Sequence, residues 1–281
     1  MRLSGADTGS AATPGEQQML DQSNYSSILI DKRADGVAIA TLNRPERLNA
    51  VHDPMHRELE RLPGDFNDDP ELRALVVTGA GRAFCAGGDF GGDRDRSAGL
   101  GPVFTHARRL VFNWLDCEKP VISAVNGYAM GLGATLALFA DVVIASRSAV
   151  FADTHVNMAI GAGDGGGVFW PLLIGPHRAK YYLMTGDRLE AEAARELGLV
   201  QTVVDDDQLL EEALTLATRL ASGPSYAISA SKVPINQYMK SVANVVMPQS
   251  LAMEETSMMH PDHVEAVSAF QEKRTPNYSR G

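Results

Sequence analysis

Residues 150–167 read Val-Phe-Ala-Asp-Thr-His-Val-Asn-Met-Ala-Ile-Gly-Ala-Gly-Asp-Gly-Gly-Gly, which sets His155 close to Asp164, the aspartate inside a glycine-rich turn. A histidine titrates near neutrality and is suited to activate water. A nearby carboxylate can fix its tautomer or hand on a proton, so the pair is chemically sufficient for hydrolysis. Two glycine-rich segments lie upstream, residues 84–89 (Phe-Cys-Ala-Gly-Gly-Asp) and 127–133 (Gly-Tyr-Ala-Met-Gly-Leu-Gly). A strand, a glycine turn and a helix in succession leave unpaired amides at the helix N-terminus, where the dipole favours an anion. The turn at Gly131, Leu132 and Gly133 has that form, and the amide of Gly88 can converge on the same oxygen. Together they would stabilise a thioester enolate or a tetrahedral oxyanion, each donor contributing a few kcal/mol. Structural alternatives stand beside each feature: glycines serve tight turns, His155 can be a hydrogen-bonded core histidine, and Asp164 can cap a helix starting near Gly166.

The elements that must position these groups alternate. Residues 28–30 and 37–42 read as strands around a turn at 34–36, and 53–66 has helical spacing. Residues 75–79 and 120–127 are β-branched runs ending in glycine, the pattern of buried strands; the second feeds an apolar helix from about Gly131, and 141–145 follows as a strand. Strands alternating with helices at this interval imply an α/β core with crossover connections. From Pro176 the pattern changes to helices, over 178–184, 190–197, 207–222, 225–239, 247–259 and 263–273, with 198–204 as an intervening strand. The domains expected are a disordered leader (1–24), an α/β core (25–205) and a helical C-terminal oligomerisation region (206–281), with Met247, Met253, Met258 and Met259 packing a core or a subunit interface. No internal repeat is visible.

At 281 residues and 44% hydrophobic composition the chain can bury a full core. The apolar stretch 134–145 is interrupted by Asp141 and falls far short of the roughly 20 residues of a membrane span. A net charge of −10 disfavours a nucleic-acid partner. The two cysteines, Cys85 and Cys117, lack metal-type spacing and fit a reducing cytoplasm. His52, His56 and His106 read as surface residues with no partner at ligand spacing, and no metal is expected.

Taken in order, residues 83–89 (Ala-Phe-Cys-Ala-Gly-Gly-Asp) and 123–133 (Ser-Ala-Val-Asn-Gly-Tyr-Ala-Met-Gly-Leu-Gly) closely resemble the crotonase (enoyl-CoA hydratase/isomerase) superfamily. Residues 43–50 look like its coenzyme A loop, and 183–187 with 194–200 like its later signature, so the resemblance runs from about Ile28 to Arg274. It implies a ClpP-like spiral of ββα repeats, a helical trimerisation region, a homotrimer or a hexamer made of two trimers, and an acyl-CoA substrate whose carbonyl sits between the amides of Gly88 and Leu132. No cofactor is implied; coenzyme A comes as part of the substrate. Around that substrate the resemblance sets Arg44, Arg47, Ala86, Asp89, Gly131, Trp170 and Glu254.

The sequence departs from the hydratase pattern where two glutamates would hold water: Thr135 and His155 stand in their places. Glu46 occupies a position where the coenzyme A loop often has lysine, leaving Arg44 or Arg47 to compensate. Residues 153–155 with 163–165 and 168–171 resemble instead the crotonase branch of β-diketone hydrolases, the 6-oxocamphor hydrolase type, in which a histidine and an aspartate at this separation support retro-Claisen cleavage. The expected function is enolate chemistry on an acyl-CoA thioester, with His155 as general base toward water and Asp164 orienting it or donating a proton. The alternatives are carbon–carbon bond hydrolysis and a non-catalytic crotonase-fold binding protein.

Overall fold

β1 (Ile28–Lys32) and β2 (Val37–Leu42) form an antiparallel hairpin with Ile28 opposite Leu42. A computed structural model of the chain describes residues 19–89 and 101–278, with side chains from Thr105 onward in the second stretch. The expected leader, residues 1–24, lies outside the described residues as far as residue 18. From Met19 on the chain is ordered, contrary to that expectation: Leu20 is buried, Asp21 caps a short 3-10 turn (Gln22–Asn24), and the Tyr25 hydroxyl donates to Asp65 at 2.6 Å.

After α1 (Asp53–Asp68) the chain repeats one order of elements. β3 (Ala74–Gly79) joins a larger sheet, β4 (Ala83–Cys85) a smaller one, and α2 (Gly101–Asp116) follows. The order recurs with β5 (Val121–Val125), β6 (Tyr128–Met130) and α3 (Leu132–Leu138), then with β7 (Val142–Ser146), β8 (Val150–Ala152) and α4 (Gly166–Ile174). This is the crotonase spiral of ββα units, and its repeat lies in the order of elements rather than in residue identities. α5 (Pro176–Thr185), β9 (Leu189–Glu190), α6 (Ala191–Leu197) and β10 (Thr202–Val204) complete the body. The larger sheet runs β1-β2-β3-β5-β7-β10 and the smaller β4-β6-β8-β9. Pairs from β2 to β10 in the larger sheet are parallel, because each crossover returns the chain to the same end.

One face of the larger sheet, with Val37, Ile39, Val76 and Ile122, packs under Leu209, Ala213, Ala217 and Ala221 of α7 (Leu209–Ala221). A stripe of alanines lets the helix approach closely. The expected boundary at 205/206 therefore cuts through the core, and α7 belongs with the sheet. The two helices expected over 225–239 and 247–259 are one, α8 (Ser225–Met258), which carries Pro234 and Pro248 inside it. An internal proline costs about 3 kcal/mol; burial of Ala243, Met247 and Leu251, and the Asn236 amide donating to the Leu115 carbonyl at 3.1 Å, offset it. α9 (Pro261–Glu272) ends the helical region. Among the described residues no helix is long and apolar enough to cross a membrane.

Candidate active site

β4, β6 and β8 are adjacent and parallel, and each delivers one part of the site from its carboxyl end. That edge is where open α/β sheets bind ligands. β4 leads into Gly87 and Gly88, β6 into the turn at Gly131 and Leu132, and β8 into Asp153 and His155. Val51 bridges to Gly88 by pairing with its neighbours: the Val51 amide donates to the Gly87 carbonyl at 2.7 Å and the Asp89 amide to the Val51 carbonyl at 2.9 Å. In a parallel bridge of this kind the amide of Gly88 itself faces the other way. Leu132 opens α3, so its amide has no intrahelical acceptor.

The two segments are brought together by close backbone contact. Gly87 holds φ +94°, and a β-carbon there would lie 2.8 Å from the Met130 carbonyl oxygen and 3.8 Å from the Leu132 nitrogen. At Gly133 a β-carbon would lie 2.1 Å from the Cys85 carbonyl oxygen, so only glycine lets α3 press onto β4. Gly88 and Leu132, the expected oxyanion pair, thus belong to segments in direct contact. Gly131 donates its amide to the Ala152 carbonyl at 2.8 Å, and a β-carbon on it would be 3.7 Å from His155 Cε1. The turn at Gly131 and the histidine therefore adjoin.

His155 sits between two carboxylates. Its Nδ1 donates to Asp153 Oδ1 at 2.6 Å, and its Nε2 faces Asp164 Oδ2 at 3.2 Å. Asp153 is fully buried, and the side chains of His155 and Asp164 are 11% and 10% exposed. Burial alone pushes an imidazolium down, but Asp164 and Asp153 outweigh it and hold His155 well above the ordinary histidine range. Burial likewise pushes the Asp164 carboxyl up, and the imidazolium overcomes this and holds it low. The pair is an ion pair at neutral pH. Asp164 does not cap α4: the N-cap is Gly165, and Asp164 reaches His155 instead.

Both ring nitrogens of His155 are engaged, so a histidine with a free nitrogen turned toward water, as expected from sequence, is not what the fold presents. The second oxygen of Asp164, Oδ1, is approached by the buried Thr135 hydroxyl at 3.5 Å. Asp153 was legible only as part of the Asp-Thr-His run; an aspartate two residues before a histidine at a strand end was the available signal.

The remaining expected residues divide. Arg44 is committed within the protein, bonding Asp89 at 3.0 Å and the Ala50 carbonyl at 2.5 Å, so it does not compensate Glu46. Arg47, on the 3-10 turn Pro45–Arg47, is exposed. Ala86 anchors its loop by donating its amide N–H to the Leu48 carbonyl at 3.0 Å. Trp170 is a core residue, fully buried beside Tyr182, and not a substrate contact. Glu254 on α8 is buried against the turn that carries Asp164: a β-carbon on Gly163 would be 2.6 Å from its Cβ. His56 and His106, expected at the surface, are partly buried on Glu60, because helical spacing sets Glu60 one turn beyond His56.

Glycine-rich strand ends beside a buried histidine–carboxylate cluster, carried on a spiral of ββα units, define the class of fold and site. The profile of the enoyl-CoA hydratase/isomerase family matches residues 32–281, and the chain belongs to that family. It is 37% identical over 249 residues to 1,2-epoxyphenylacetyl-CoA isomerase of Escherichia coli K12, covering 87% of this chain and 95% of the relative. It is 34% identical to crotonyl-CoA hydratase of Syntrophomonas wolfei, covering 90% and 98%. Among solved structures, an enoyl-CoA hydratase/isomerase from Mycobacterium paratuberculosis superposes with a TM-score of 0.80 at 38% identity, covering 86% and 97% of the two chains. An enoyl-CoA hydratase from Mycobacterium avium subsp. paratuberculosis does so at 0.82 and 29%, covering 91% and 99%.

Proposed function

We propose that the enzyme adds water to a 2-enoyl-CoA thioester, with Asp164 exchanging protons with the substrate and His155, held by Asp153, charging and orienting Asp164. The observation that carries this reading is the Asp153–His155–Asp164 chain beside the oxyanion turn. Water oxygen bonds to the β-carbon while the double-bond electrons move onto the thioester oxygen, which the Gly88 and Leu132 amides receive. Asp164 takes the water proton. As the enolate collapses to the thioester, the α-carbon takes a proton back from the Asp164–His155 pair, so one water is added and the cluster is restored. Positioned acid–base groups contribute about 10²–10⁴-fold. The names of the relatives, an acyl-CoA isomerase and acyl-CoA hydratases, support the thioester as substrate.

Purified enzyme and Asp164→Asn are assayed on a panel of enoyl-CoA thioesters, with bicyclic and linear β-diketones alongside, and products are identified by mass. Hydration lost by about 10²-fold or more in the variant is the expected result. Hydrolysis of a diketone without coenzyme A would assign the cluster to retro-Claisen cleavage, and turnover unaffected by Asp164→Asn would remove the cluster from the chemistry.

A further inference from the structure

We propose that the α1–α2 wall of this site carries a second polar station, His56–Glu60–His106, and that it selects an acyl group bearing a hydroxyl. The inference rests on the thioester reading above and names the class of acyl chain. His52, His56 and Glu60 recur at helical spacing on one face of α1, and His106 meets them from α2. A single oxygen, Glu60 Oε1, accepts from His56 Nδ1 at 2.9 Å and from His106 Nδ1 at 2.7 Å. The rings meet edge to face, 6.2 Å apart. Burial pushes the Glu60 carboxyl up, and the two imidazoles outweigh it and keep it ionised.

A carboxylate that accepts from both Nδ1 atoms leaves each ring its Nε2 for a further partner. A hydroxyl, which both donates and accepts, pairs with Nε2 in either role. Side-chain exposures of 22% and 37% leave both rings reachable. His52 adds a buried Nδ1 that has no partner among the described residues.

The station adjoins the reacting end. α1 starts directly after Val51, the residue bridged to Gly88, and the Val111 side chain of α2 lies 3.5 Å from where a β-carbon on Gly165 would stand, next to Asp164. Holding α1 against α2 does not require these groups: Trp114 Nε1 bonds the Leu59 carbonyl at 3.0 Å and the Asn113 amide the Glu60 carbonyl at 2.8 Å. Partly burying three ionisable side chains costs free energy that an apolar contact would not.

The test compares kcat/KM for 2-enoyl-CoA thioesters ending in a primary hydroxyl with their methyl-ended isosteres over a ladder of chain lengths, in the wild type and in His56→Asn and His106→Asn. Asparagine keeps an N–H where Nδ1 stands, preserving the bond to Glu60, and deletes Nε2. The expected result is a preference of about tenfold for the hydroxyl-ended thioester at one length, the size of one hydrogen bond to a partly exposed ring nitrogen, collapsing toward unity in at least one variant. Turnover of thioesters with no preference at any length, or a preference kept in both variants, overturns the inference and leaves the hydration reading intact. Failure of every thioester overturns both. The wild-type ratio decides alone should the variants not fold.

Discussion

Replacing Asp153 by asparagine isolates what the buried carboxylate does for His155. The substitution preserves shape and an acceptor oxygen while removing the charge from a fully buried group that takes Nδ1 at 2.6 Å and the His155 amide at 3.3 Å. A hydrogen bond to a charged group contributes about 1.5–3 kcal/mol, and the amide oxygen keeps the bond while removing one of the two negative charges that favour the imidazolium. His155 should therefore titrate lower yet stay raised, since Asp164 remains 3.2 Å away. The folded value is raised, so the stabilisation is complete below the ordinary histidine pKa of about 6.5 and is lost as pH rises through the folded value. In Asp153→Asn that alkaline loss begins at a lower pH. Asp153 Oδ2 is buried with no partner among the described residues, so the new amide group adds a pH-independent cost of about 1–3 kcal/mol. Thermal melts across pH, with an NMR titration of the His155 ring, separate the two effects. A His155 titration unmoved by the substitution, with only the uniform loss of stability, would refute the idea that Asp153 sets its charge.

Gly133→Ala forces a methyl to within 2.1 Å of the Cys85 carbonyl, so α3 must lift from β4. Stability should fall by about 1–3 kcal/mol and thioester turnover by more than that loss explains, as denaturant titration alongside kinetics would show. Arg47→Ala should raise KM for the coenzyme A thioester while leaving kcat near wild type, because an exposed cation contributes ground-state binding; Arg44→Ala should instead lower the melting temperature by breaking the Asp89 pair.

Local chemistry was enough to read much of this protein. The strand runs at 37–42, 75–79 and 120–127, the glycine turns at 87–88 and 131–133, and the His155/Asp164 pair follow from periodicity, from glycine's backbone range and from side-chain pKa, which act over a few residues. Tertiary packing alone decided the rest. The engagement of both His155 nitrogens depends on β8 ending beside the turn before α4. Glu60 meets His106 only because α1 and α2 pack together, joining residues distant in sequence. α7 reads as one more amphipathic helix until the sheet face it covers is known, and α8 runs through two prolines because buried side chains on distant helices outweigh the local cost. Propensity and spacing are local quantities. Which charge faces which histidine is set by strand order and helix contact, and no local pattern encodes it.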